Sequence, residues 1–122
     1  MTLQELYQVI GGDYNQAIRV LRMEKLLDKH IRKLTTNGVV EALLEAGETM
    51  DPTRLFESAH AMKGVCANLG LVGLAEAASR IAEEYRPGKS RTLGDAGVRE
   101  ILDQIAVQYQ RTREGIQAYQ EG

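Results

Sequence analysis

The stretch Asp51-Pro52-Thr53-Arg54-Leu55-Phe56-Glu57-Ser58-Ala59-His60-Ala61-Met62-Lys63-Gly64-Val65-Cys66-Ala67-Asn68-Leu69-Gly70 decides the fold. Its start is a strong helix signal. An Asp side chain can accept from the free N–H groups of a first turn, and Pro suits the first helical position, where its missing N–H is not needed. Its end, Leu69-Gly70, puts a glycine where helices commonly turn left-handed and stop. At about 100° per residue, with His60 at zero, Leu55, Ala59, Met62, Cys66 and Leu69 fall between about 180° and 260°. Val65 sits at about 140° by the same count. That arc is the predicted core face of one amphipathic helix. His60 lies nearly opposite it. Phe56, Lys63, Gly64 and Ala67 share its side, all within about 60° of it.

The chain on either side has the same character. A short helix is predicted over about Leu3 to Val9, stopped by Gly11-Gly12. Asp13 is a plausible cap for a second, Tyr14 to Leu21, presenting Ala17, Ile18 and Leu21. A third, from about Met23 to Leu34, presents Leu26, Leu27, Ile31 and Leu34. Thr35-Thr36-Asn37-Gly38 separates it from a fourth that carries Val39, Val40, Leu43 and Leu44 and ends near Gly47. After Gly70 comes a helix from about Val72 to Tyr85, with Leu74, Ala78, Ile81 and Tyr85 on one side. Arg86-Pro87-Gly88 ends it, and a loop runs to about Leu93. The last helix covers Asp95 to about Tyr119, striped by Val98, Ile101, Leu102, Ile105, Tyr109, Thr112 and Ile116. No stretch alternates apolar and polar residues as a half-buried strand does. The expected fold is all-α: an up-and-down four-helix bundle with additional short N-terminal helices.

The totals narrow the function. The 122 residues fit one domain, 1–122, without repeat or internal linker. Fifteen Lys and Arg oppose 17 Asp and Glu, a net charge of −2, so there is no overall basic field for nucleic acid. No run of some 18 apolar residues can span a membrane. The N-terminus lacks the basic and apolar regions of a signal peptide. The single cysteine, Cys66, can form no intramolecular disulfide. Together these point to the cytoplasm. The start at Met1 and the absence of a linker at either end lead us to expect a complete protein and not a domain excised from a larger kinase.

His60 is the candidate reactive group. A histidine on an amphipathic helix is usually a satisfied, partly buried side chain or a solvated one. Burial in its own bundle is disfavoured here by its position. Gly64 argues against simple solvation, because glycine inside a helix costs up to about 1 kcal/mol relative to Ala. One turn after His60, it removes side-chain bulk beside the imidazole, and Ala67 keeps the next turn small. Lys63 puts an ammonium one turn away, where it could attract a phosphoryl group. Phe56 is apolar on a face expected to be solvated, which suggests docking.

This segment resembles the signature of histidine-phosphotransfer (HPt) domains. The resemblance is carried by Ala59-His60-Ala61-Met62-Lys63-Gly64, then Asn68-Leu69-Gly70 and Leu74. The His-x-x-Lys-Gly core is short; the flanking Ala, the later Leu-Gly and the helical frame make it more specific. Met62 replaces a more frequent Leu, a volume-conserving change. The resemblance implies that His60 is phosphorylated, that Lys63 stabilises the phosphate, and that Gly64 gives steric access, with Phe56 and Ala67 meeting the partner. It also implies a phosphorelay in which an imidazole nitrogen, Nε2 by family analogy, exchanges a phosphoryl group with a receiver-domain aspartate. Partners would be a response-regulator receiver domain or a hybrid sensor histidine kinase. Mg²⁺ would be supplied by the receiver, with no cofactor of the chain's own. Such a module is expected to be monomeric.

Other constellations are weaker. There is no Gly-rich phosphate loop: Gly11-Gly12 and Gly70-Leu71-Val72-Gly73 read as helix caps, so a phosphocarrier without autokinase activity is expected. His60 and Cys66 are about 240° apart on the wheel and cannot share a metal. Cys66 reads as a small buried apolar residue. His30 borders an apolar stripe and reads as structural or surface. Tyr85, Tyr109 and Tyr119 read as core-edge or surface residues, and Arg111 and Arg113 as a solvated face. The competing function is a helical adaptor that binds a signalling partner through the His60 face without transferring phosphate.

Overall fold

Helix ends fall where capping chemistry puts them. The computed structural model describes Met1–Gly122 and contains α1 (Leu3–Ile10), α2 (Tyr14–Leu21), α3 (Glu24–Lys33), α4 (Val39–Thr49), α5 (Pro52–Asn68), α6 (Val72–Glu84) and α7 (Gly94–Glu121). Helix α1 opens with a reciprocal capping box: Thr2 Oγ1 accepts from the Glu5 N–H, and the Glu5 carboxylate accepts from the Thr2 N–H. Asp13 caps α2 by accepting from the Gln16 N–H at 3.0 Å. Two helices end on a left-handed residue other than glycine. Arg22 after α2 and Met50 after α4 take left-handed backbone at φ 73° and 57°, which no spacing rule foretells.

Helices α4 to α7 close a ring: α4 packs on α5, α5 on α6, α6 on α7, and α7 back on α4. Short connectors make successive members antiparallel. The seam is aliphatic, with Val40, Leu43, Leu55, Met62, Leu74, Ile81, Val98 and Ile105 among the buried residues. Helix α7 is about 42 Å long at 1.5 Å per residue, so its C-terminal half outruns the ring. That half takes up α1 and α3, while α2 lies on α5. Gly115 lets α1 come close: a Cβ there would sit 2.5 Å from Ile10 Cγ2. The chain is all-helical, as expected, and no helix is long and apolar enough to cross a membrane.

Three expectations need correction. Leu26 is exposed, because the buried row of α3 is Leu27, Ile31 and Leu34 and Leu26 lies about 100° off it. Tyr85 and Tyr109 are core residues, not core-edge. Arg111 is exposed but not merely solvated: its Nε donates to the Val9 carbonyl at 2.9 Å, tying α7 to α1.

Candidate functional site

Helix α5 is held at both ends. At its start the Asp51 carboxylate accepts from the Arg54 N–H at 3.2 Å, with Pro52 in the first turn. At its end Gly70, at φ +67°, lets the Leu71 N–H reach back to the Cys66 carbonyl and the Gly70 N–H to that of Ala67. The N-terminal helices grip the same end. Tyr7 Oη donates to the Leu69 carbonyl at 2.7 Å, and the Asp13 N–H donates to the Gly70 carbonyl at 2.7 Å. The helix that carries His60 therefore cannot roll or fray at its C-terminus without breaking contacts to α1 and α2.

The buried face matches the wheel. Leu55, Ala59, Met62, Cys66 and Leu69 are all buried. Burial pushes the Cys66 thiol up to about 12, so it is a neutral packing group and not a nucleophile. His60, Lys63 and Gly64 are all exposed. Neither His60 nor Lys63 has a side-chain hydrogen bond or ion pair; the bond on their side of the helix is that of the Gln16 amide to the Ala67 carbonyl. The imidazole is thus presented with its nitrogens free, and the ammonium of Lys63 stands unpaired one turn on.

Gly64 stands apart from the glycines the fold needs. It has no positive φ, and a Cβ built there would meet nothing within 4 Å, the His60 ring included. Packing gives no reason for a glycine at this point. The clearance is toward the outside, for whatever approaches the imidazole, and not for the ring itself.

Phe56 and Ala67 are less open than their positions on the wheel suggest. Phe56 is half-buried and packs against the core. Its ring stacks on the imidazole, with centroids 5.8 Å apart and planes 20° from parallel. That contact was not anticipated, although the four-residue spacing of Phe56 and His60 permits it. Ala67 is half-buried beside α2, whose Gln16 amide reaches its carbonyl at 3.5 Å. His30 is on another surface, exposed in a cleft with Lys33, Asn37 and Asn68. No three His, Cys, Asp or Glu side chains gather as a metal-binding set.

A family model described as the Hpt domain matches residues 19–115. The chain belongs to the Hpt domain family. The match takes in all of α3 to α6 and the whole of α5, with His60, Lys63 and Gly64 inside it; α1 lies outside. No curated protein and no solved structure matches the chain significantly. Hpt domains act in histidine phosphotransfer within two-component phosphorelays, through receiver and kinase components. In this Hpt domain the one histidine of α5 stands exposed, with no hydrogen-bond partner, beside Lys63 and Gly64.

Proposed function

We propose that the chain is a phosphocarrier that accepts and donates a phosphoryl group on His60. The observation that carries this reading is an exposed, unpartnered imidazole opposite the buried row of α5, beside a glycine that the packing does not require. A neutral imidazole nitrogen, Nε2 by family resemblance, attacks the phosphorus of a receiver's aspartyl phosphate in line. The N–P bond forms as the acyl O–P bond breaks, and the electron pair leaves on the aspartate carboxylate. The other ring nitrogen then releases its proton to solvent. The reverse sequence returns the phosphoryl group to an aspartate. Lys63 offers a cation to the phosphoryl oxygens. Mg²⁺, held by the receiver's own acidic pocket, would neutralise the charge on the group in transit. The exposed parts of Phe56 and Ala67 flank the contact area. The partner is a response-regulator receiver domain or the receiver of a hybrid sensor kinase, met by a monomeric carrier in the cytoplasm.

The test is incubation with a phosphorylated receiver domain and Mg²⁺. Acid-labile, alkali-stable label should appear on the wild-type chain and be absent from His60→Gln, with the thermal midpoint of the variant unchanged. If the wild type binds a receiver but never takes label, the chain is a non-catalytic adaptor and the reading fails.

A further inference from the structure

The His60 ring lies stacked on the Phe56 ring. Their separation and near-parallel planes fall in the range where offset aromatic rings attract. The two rings are not equally free. Phe56 is half-buried and wedged against the core, whereas His60 is exposed. One ring is therefore an anchored platform and the other rests on it. Phe56 is also the only phenylalanine in the chain, and it lies off the buried row of α5 formed by Leu55, Ala59, Met62 and Cys66.

The geometry suits a nucleophile. The lone pair of an imidazole nitrogen lies in the plane of the ring. A stack covers the face and leaves that edge open, so it restrains the ring without standing in the line of attack. An exposed histidine otherwise samples several side-chain rotamers, of which few aim a nitrogen at an incoming group. Resting on reading His60 as the phosphoryl acceptor, we infer that Phe56 is a positioning residue. Its ring holds the imidazole plane so that a nitrogen edge faces outward from α5.

The experiment uses the full chain with Phe56→Ala, Phe56→Leu and Phe56→Tyr. Phe56→Leu keeps apolar bulk against the core if Phe56→Ala folds poorly. The ring-current shift and ring mobility of His60 are read by NMR without phosphate. Label uptake is then measured from a phosphorylated receiver and from phosphoramidate, a small donor that makes no protein contact. Loss of the ring-current shift and a looser ring are expected in Phe56→Ala and Phe56→Leu. The saturating transfer rate should fall about fivefold to tenfold with either donor, while the half-saturating receiver concentration changes little. Phe56→Tyr should restore both. An imidazole as ordered in Phe56→Leu as in wild type overturns the inference. So does a raised half-saturating receiver concentration with unchanged saturating and phosphoramidate rates, which would make Phe56 a docking residue alone. A wild-type chain whose ring order depends on Phe56 but which takes no phosphate keeps the stack and sinks the phosphotransfer reading instead.

Discussion

At Gly70 an added Cβ would run into the Asp13 carbonyl and press on Ala17; at Gly64, earlier on the same helix, it would touch nothing within 4 Å. The same contrast holds for polar groups. Glu84 is buried, and its carboxylate accepts from Arg91 Nε, the Thr92 N–H and hydroxyl, and the Leu93 N–H, at 2.9 to 3.2 Å. His60 accepts and donates nothing. Where α5 ends and where α6 hands over to α7, Gly70 and Glu84 each have a packing or hydrogen-bonding reason. On the outer face of α5 two unusual residues have none. A glycine inside a helix lowers stability, and nothing in the bundle repays Gly64, so its reason is sought outside the bundle.

The corner should be the least tolerant place in the molecule. Gly70→Ala forces a Cβ onto left-handed backbone and against a carbonyl that already accepts from the Ala17 N–H. We expect a loss of about 3 kcal/mol, the sum of backbone strain and displacement of α2. Urea unfolding measures it. An unchanged midpoint would mean that the N-terminal helices hang loosely on α5, and the contrast with Gly64 would collapse.

Gly64→Gln should act on transfer and spare the fold. A long side chain one turn from His60 has room on the bare helix but not beneath a docked receiver. Transfer from a phosphorylated receiver should slow about thirtyfold, near 2 kcal/mol of barrier. Transfer from phosphoramidate should stay within about twofold, because a small donor needs little clearance. Equal slowing with both donors would show that the side chain disturbs the imidazole itself. Gly64→Ala then sharpens the point: freed of glycine's backbone entropy, the chain should gain up to about 1 kcal/mol in the same urea assay. No gain would mean that the glycine serves the helix after all.

These contrasts were unequally legible in the sequence. Periodicity alone placed Leu55, Ala59, Met62, Cys66 and Leu69 in the core and His60 outside it, because helical geometry fixes which residues share a face. The same reasoning found the stripe from Val98 to Ile116 on α7. It misjudged Leu26, since a wheel counts apolar residues without knowing which neighbour covers them. It gave no hint of Glu84, which beside Glu83 looks like one of two solvated acids, nor of Tyr7 bonding to a carbonyl 62 residues away. Such pairs are set by how elements meet, and spacing within one helix does not encode that. The candidate site was legible as a face and a motif, while the Phe56 stack depends on the rotamers of the two rings, which spacing permits but does not fix. Left-handed Arg22 and Met50 were illegible for a plain reason: neither residue type favours that backbone.

Glu84 offers the last test, and its sign can be worked out. Burial alone would raise the carboxyl's pKa. The Arg91 guanidinium, the Leu93 and Thr92 N–H groups and the Thr92 hydroxyl outweigh burial and hold it down, from 4.5 to about 2. Between those values the unfolded chain takes up a proton that the folded chain refuses. The stabilising contribution is therefore complete above about pH 4.5 and is lost as the pH falls toward about 2. In Glu84→Gln one acceptor becomes an N–H donor facing other donors, so the variant should melt lower than wild type at pH 7. As acid protonates the wild-type carboxyl, the two melting temperatures should converge between pH 4.5 and 2. A gap that stays constant over that range would mean the charge of Glu84 is immaterial and only its shape closes the loop before α7. The seam would then owe its order to packing, and the contrast with the unpartnered imidazole of His60 would rest on Gly64 and Gly70 alone.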